Sequence, residues 1–272
     1  MRFWVLIFTL IVSTPTTASG NELSPPLTID FDLVPFSRNL TQQTVNQIYQ
    51  DSHGLLWFLT QEGLNRYDGF ELENYLYSPD DINSISSNSV TRITEDIKGD
   101  LWISTLGGGL NKYDRRHNNF TSLHAGVDHK ITPLSNDITT VFADTNGLLW
   151  LGYENAFSVF NPATNHFRHY RSESDHLPNF GIVNRFVQSS DGTIWAATAE
   201  GGLIELKPDS NRISIHNRNI DNLDSFFSNQ ITSVLVDRQE NVWAATENAG
   251  VIVLNTKDKK VHRFQNEPKN IN

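Results

Sequence analysis

Cysteine is absent from the 272-residue chain, and that one absence removes disulfide frameworks, thiolate zinc sites, iron–sulfur clusters and cysteine nucleophiles together. Long apolar runs are nearly as scarce. The longest, residues 3–12, is about half of the roughly 20 residues that a membrane-spanning helix needs. Basic charge is also short: 21 Lys and Arg stand against 31 Asp and Glu, for a net charge of −10, and no Lys/Arg stripe is present to follow a phosphate backbone. Nucleic acid is therefore not an expected partner. What remains, 38% apolar and 11% aromatic residues, is enough for one or two substantial cores.

The amino terminus has a processing pattern. Arg2 precedes the short apolar run, and a small, polar stretch, "STPTTASG", follows it. Residues 1–20 are expected to be a secretory signal peptide, cut after Ala18 or Gly20. A cysteine-free exported chain fits a bacterium, in which disulfides are optional.

The rest of the chain repeats itself. Trp57, Trp102, Trp150, Trp195 and Trp243 are spaced by 45, 48, 45 and 48 residues. Six positions before them stand Asp51, Asp96, Asp144, Ser189 and Asp237, and three before stand Gly54, Gly99, Gly147, Gly192 and Glu240. Three positions after stand Thr60, Thr105, Tyr153, Thr198 and Thr246, and Asn88, Asn136 and Asn229 recur fourteen before. The unit reads S-N-x-[VI]-T-x-[VI]-x-x-D-x-x-G-x-[LIV]-W-x-x-T, then a Gly-rich link and a run such as "GLNRYD" or "GLNKYD".

Each position has a structural role. Segments such as "SVTRITED", "LWIST", "GLNKYD" and "NFTSLH" have strand length and strand composition, four to a unit. In D-x-x-G the Asp accepts hydrogen bonds from its own turn and Gly supplies a positive φ, which predicts a tight hairpin. A lone four-stranded meander leaves apolar faces in water, so the units must stack, and this period suits blades around an axis. The fold class expected is all-β, a β-propeller with about five four-stranded blades over residues 27–272. The blades are placed at 41–77, 86–125, 134–171, 180–216 and 228–266, with the tryptophans as wedges between them.

The pattern in "DSHGLLWFLTQEGLNRYD" and "EDIKGDLWISTLGGGLNKYD" resembles the two-component regulator propeller repeats. The resemblance covers residues 27–266 and departs most in the third unit, at Tyr153, and in the fifth, at Glu240. It implies the periplasmic sensor region of a membrane-bound receptor, commonly with two seven-bladed propellers, a β-sandwich, a transmembrane helix and a histidine kinase or diguanylate cyclase output. It also implies a homodimer in the full-length receptor and a location on the periplasmic side of a bacterial inner membrane. No output module lies within these residues, and "TIDFDLVPF" (28–36) reads as a fourth strand without its own first three. The expectation is therefore part of a receptor rather than a free-standing five-blade protein.

The expected activity is ligand sensing, not catalysis, with a small molecule or oligosaccharide bound on one face or at the central channel. Tyr153, Glu154 and Asn155, where the repeat breaks, are the candidate ligand contacts. No catalytic residue, cofactor or metal ligand is expected. His166 and His169 are three apart in a predicted strand and point to opposite faces, while His117, His124 and His129 have no metal-site spacing. A propeller enzyme and an interaction scaffold are the alternatives, since fold does not settle function. The sequons at Asn39 and Asn119 are assigned no role.

Overall fold

Each tryptophan unit folds into an antiparallel meander of four strands. The structure, a computed structural model, describes residues 37–172, 175, 177–207, 212–218 and 226–265. The predicted signal peptide and the stretch 28–36 lie outside them. The first blade holds β1 (Gln47–Gln50), β2 (Leu56–Thr60), β3 (Gly63–Tyr67) and β4 (Leu72–Tyr75). The second holds β5 (Val90–Glu95), β6 (Leu101–Thr105), β7 (Gly109–Asp114) and β8 (Asn119–Leu123). The third holds β9 (Thr140–Ala143), β10 (Leu149–Gly152), β11 (Ala156–Asn161) and β12 (His166–Arg171). The fourth holds β13 (Val183–Gln188), β14 (Ile194–Thr198), β15 (Leu203–Lys207) and β16 (Arg212–His216). The fifth holds β17 (Ile231–Val236), β18 (Asn241–Thr246), β19 (Val251–Asn255) and β20 (Val261–Phe264). All five sheets have the strands paired in chain order, and the first strands of successive blades lie side by side.

The D-x-x-G turns form as the sequence predicts. Asp51 Oδ1 accepts from the backbone N–H of His53 and Leu55, both at 3.0 Å, and Gly54 takes φ +83°. The fifth unit keeps this left-handed geometry without glycine, at Glu240 with φ +67°. Here the side chain reaches back to the fourth blade and accepts from the Ser190 N–H at 3.1 Å. The structure adds a bond that the repeat alone did not suggest, from the indole N–H to the turn residue. Trp57 donates to Asp51 at 2.9 Å, Trp102 to Asp96 at 2.8 Å, Trp150 to Asp144 at 2.9 Å, Trp195 to Ser189 at 2.8 Å and Trp243 to Asp237 at 2.8 Å. One residue thus closes the hairpin and aims the ring.

The aim is toward the following blade. Trp57 shares a buried cluster with Ile93, Tyr113 and Phe120 of the second blade. Trp102 shares one with Val141 and Phe160 of the third, Trp150 with Phe180 and Phe186 of the fourth, and Trp195 with Phe226 and Val242 of the fifth. The core is thus a series of seams between blades, each filled by one large aromatic anchor. Trp243 is only half-buried and stacks on its own blade's Phe264 at 5.9 Å.

In four of the five units, the threonine three after the tryptophan closes the second hairpin. Thr105 donates to Gly109 O at 2.9 Å, and Thr60, Thr198 and Thr246 make the equivalent bond. Gly109 cannot be replaced without strain, since an added Cβ would lie 2.3 Å from Leu123 O at φ +78°.

Candidate functional site

A regular strand would put every second residue of a first strand into the seam. The first strands instead place their core residues three apart: Val90 and Ile93, Ile138 and Val141, Val183 and Phe186, Ile231 and Val234 are all buried. In the second, fourth and fifth blades this shows as a β-bulge, with the register shifting between Val90 and Arg92, Val183 and Arg185, and Ile231 and Ser233. A bulge bends a strand and re-aims its side chains. In those three blades two residues are thereby turned away from the seam.

The first of the two stands eleven positions before the tryptophan, where the five units carry Asn46, Thr91, Thr139, Asn184 and Thr232. All five line one cavity of 340 Å³, so five equivalent positions of the repeat meet at the axis. Three of them tie one blade to the next. Thr91 Oγ1 donates to Ile138 O at 2.8 Å, Thr139 Oγ1 to Val183 O at 2.7 Å and Asn184 Nδ2 to Ile231 O at 2.8 Å. In the first blade the neighbouring residue does this work: Gln47 donates to Ile93 O and accepts from Ile93 N–H. Gln61, Ser89, Val90, Leu106 and Ile182 also line it, and among the described residues no Asp or Glu does.

Arg92, the second residue of its pair, also lines the cavity. Partial burial, reinforced by the like charge of Arg185, pulls its guanidinium below its usual pKa, but an arginine remains protonated at neutral pH.

The candidate contacts at the repeat's break lie elsewhere. Tyr153 is buried in the seam between the second and third blades, 3.3 Å from Ser158 Oγ, and burial pushes its hydroxyl up to about 12. Glu154 is exposed and bridges to Ile182. Asn155, at φ +52°, accepts from the N–H of Phe180 at 3.0 Å and of Gly181 at 2.8 Å. None of the three lines the axial cavity.

The repeated asparagines tie loops: Asn88, Asn136 and Asn229 accept from the N–H of Tyr77, Ala125 and Arg218 at 2.7, 2.7 and 2.6 Å. His166 and His169 share β12 and point apart, His166 outward and His169 toward Ser158 Oγ at 2.7 Å. Among the described residues no three or more His, Asp or Glu side chains are grouped to hold a metal ion. Sequence reasoning missed the axial ring and the arginine beside it. The signal was present as the three-residue spacing in [VI]-T-x-[VI], which breaks strict strand alternation.

The turn carboxylates predict an acid limb of stability. The indole of Trp243 is the main cause that holds Asp237 down to about 2; partial desolvation opposes it, and donors on Asn241 and Gln239 add to the lowering. Burial likewise opposes ionisation of Asp51, but the Trp57 and Arg115 bonds prevail and its pKa is lowered. A carboxyl whose folded pKa lies below its unfolded value of 3.8 adds stability above that value. The contribution disappears as pH falls through the folded value near 2. Denaturant unfolding from pH 5 to pH 2 is expected to show this loss, and an Asp237→Asn variant to show a shallower slope.

Three segments, residues 39–62, 84–107 and 225–248, match the family described as Two component regulator propeller. They span the first-strand, D-x-x-G and tryptophan portions of the first, second and fifth blades. The chain is also similar in structure to the extracellular domain assigned to the hybrid two component system BT3049 of B. thetaiotaomicron. The TM-score there is 0.69 at 24% identity, over 80% of this chain and 29% of that one. The extracellular domain assigned to the one component system BT4673 of the same organism gives 0.64 at 24% identity, over 84% of this chain and 30% of that one. PorZ, a surface component of the type-IX secretion system of Porphyromonas gingivalis, gives 0.60 at 16% identity, over 84% and 35%. The chain thus spans about a third or less of these structures. No curated protein matches its sequence.

Proposed function

We propose, from a chain that carries two component regulator propeller repeats, that this is the sensor propeller of an exported signal-transduction receptor and that its ligand seats in the axial cavity. The observation that carries this reading is the convergence of Asn46, Thr91, Thr139, Asn184 and Thr232, one equivalent residue from each blade, on a single 340 Å³ space. A ligand there meets several blades at once. It can bind one arrangement of blades better than another, and that difference in affinity is the only free energy available to bias an attached output. The extracellular placement of the similar two-component domains supports export. A small molecule or oligosaccharide as ligand, a histidine kinase or diguanylate cyclase as output, and a homodimeric receptor on the periplasmic side of the inner membrane complete the proposal.

Disruption of the coding gene tests it. Transcripts of the wild-type and disrupted strains are compared across a panel of carbohydrates and small organic acids, and the purified protein is assayed for conversion of each. A gene set whose induction by one compound requires the intact gene, with that compound left unconverted, is the expected result. Turnover of a compound with no dependent gene set would replace the sensor with an enzyme.

A further inference from the structure

We infer that the axial cavity is an anion site, in which the carboxylate, sulfate or phosphate group of a small hydroxylated ligand sits on Arg92; Arg185, at the equivalent position of the fourth blade, is exposed and lies outside the lining. Its biological use rests on the sensor reading above; the binding itself does not.

The charge around the cavity favours an anion: the chain carries 31 acidic residues and a net charge of −10, yet among the described residues no acid lines this cavity, and a guanidinium does. That guanidinium also lacks a counter-charge. Two other partly buried arginines are paired, Arg66 with Glu73, and Arg115 with Asp51 at 2.7 Å and Glu95 at 3.0 Å. Among the described residues no side chain is bonded to the Arg92 guanidinium, and that of Arg185 meets Ser233 Oγ at 3.4 Å. A cation drawn partly out of water without a partner is unfavourable for folding alone. A planar, permanently charged fork is also the group that recognises an oxyanion in two-point fashion.

The site is also preorganised. Arg92 and Arg185 occupy the same position in two blades, each immediately after a bulge residue. Those bulge residues, Thr91 and Asn184, are tied to the next blade's backbone by bonds of 2.8 Å. The strands carrying the guanidiniums are therefore held before any ligand arrives, which reduces the ordering lost on binding. At 340 Å³ the space falls at the small end of ligand pockets, the size of one sugar acid rather than a chain of them. A larger cavity of 540 Å³ on the rim of the second blade is also basic. Asp100 and Asp114 line it too, and three of its cations, Lys112, Arg115 and His117, are committed to Asp100, to Asp51 with Glu95, and to Asp114, which leaves Lys98 and Arg116 beside carboxylates rather than in an acid-free space.

The test is calorimetric titration of the full chain at constant ionic strength with D-glucuronate, with inorganic sulfate and with neutral D-glucose. Saturable binding of glucuronate, with glucose bound at least about tenfold more weakly, is the expected result, that ratio reflecting one charge-assisted bond. Sulfate binding with no gain for glucuronate would identify a free inorganic anion as the ligand and keep the anion site. Arg92→Gln is expected to weaken the anion at least about tenfold, and Arg92→Lys, which keeps the charge but loses the fork, by less. Thermal unfolding checks that both variants fold. If Arg92→Gln does not fold, Arg185→Gln takes its place, with a smaller loss expected.

The site is overturned if neither anion binds, if glucose binds as well as glucuronate, or if folded arginine variants bind the anion unchanged. Any of these leaves the gene-set test of the sensor reading intact. Arginine-dependent anion binding without a dependent gene set would remove the sensor and keep the site.

Discussion

Replacing Trp57 by alanine is expected to lower stability by about 3–5 kcal/mol, the range for deleting a buried tryptophan from a packed core. Its side chain is fully buried, 5.0 Å from the Tyr113 ring edge-on and 5.9 Å from the Tyr75 ring stacked. Because the cluster joins the first blade to the second, the loss falls on a seam and not within one sheet. Blade arrays are stabilised largely by such nearest-neighbour interfaces. Amide hydrogen exchange along a denaturant series should therefore show the first-blade strands, Gln47–Gln50 to Leu72–Tyr75, opening earlier than the rest. Trp57→Phe separates packing from the polar tether. It retains most of the ring but removes the donor to Asp51, and about 1–3 kcal/mol is expected from that loss. Trp243→Ala is the internal control: the residue is half-buried, so its deletion should cost clearly less. Equal losses at Trp57 and Trp243 would contradict the seam account.

Arg115→Met is expected to lower stability by about 2–3 kcal/mol. Breaking a buried pair by removing one partner commonly costs 3–5 kcal/mol, and the lower figure allows for an Arg115 side chain that is 21% exposed. Arg115 leaves the end of β7 to meet Asp51, whose side chain is 0% exposed, and Glu95, which also receives the N–H and hydroxyl of Ser52 at 2.7 and 2.6 Å. The network joins the turn of the first blade to the inner strand of the second. Without the guanidinium, the Asp51 carboxyl keeps its indole and backbone donors but loses its cation, so its folded pKa rises toward the unfolded value. The stability it contributes is then lost at higher pH than in the wild type. An acid-unfolding midpoint that moves up in Arg115→Met, with the shift absent in an Asp51→Asn background, is the expected signature. A midpoint that stays in place would mean that the indole and turn amides alone set the Asp51 ionisation.

Much of this architecture was legible one residue at a time. "LWIST" and "GLNKYD" became β6 and β7 with their bounds unchanged, and "KVHRFQ" became the fourth strand of the fifth blade. Those segments carry their own instructions, since composition and turn chemistry act over a few neighbours. The departures could be located but not interpreted. Tyr153 marks a real break in the repeat, and the structure spends that residue on filling a seam. Glu240 lost the turn glycine, yet the left-handed turn survived because its side chain is tied across to Ser190.

By itself, then, the sequence determined the unit: its period, its four strands, its D-x-x-G turn and the aromatic destined for burial, because every one of these follows from local bonding and from the need to bury a large ring. Only the tertiary structure decided which way the indole points, that the aspartate holding the turn also holds the ring, and that residues spaced by 45 to 48 positions meet at one axis. Arg92 and Arg185 show the difference. In the chain they are two unremarked cations 93 positions apart. In the fold, the same bulge in two blades places both at one register position, and Arg92 lines a space in which, among the described residues, no acid stands. A bulge is a register choice between two strands of one blade, but the residues that it turns out of the seams share one space only once the blades have packed on one another.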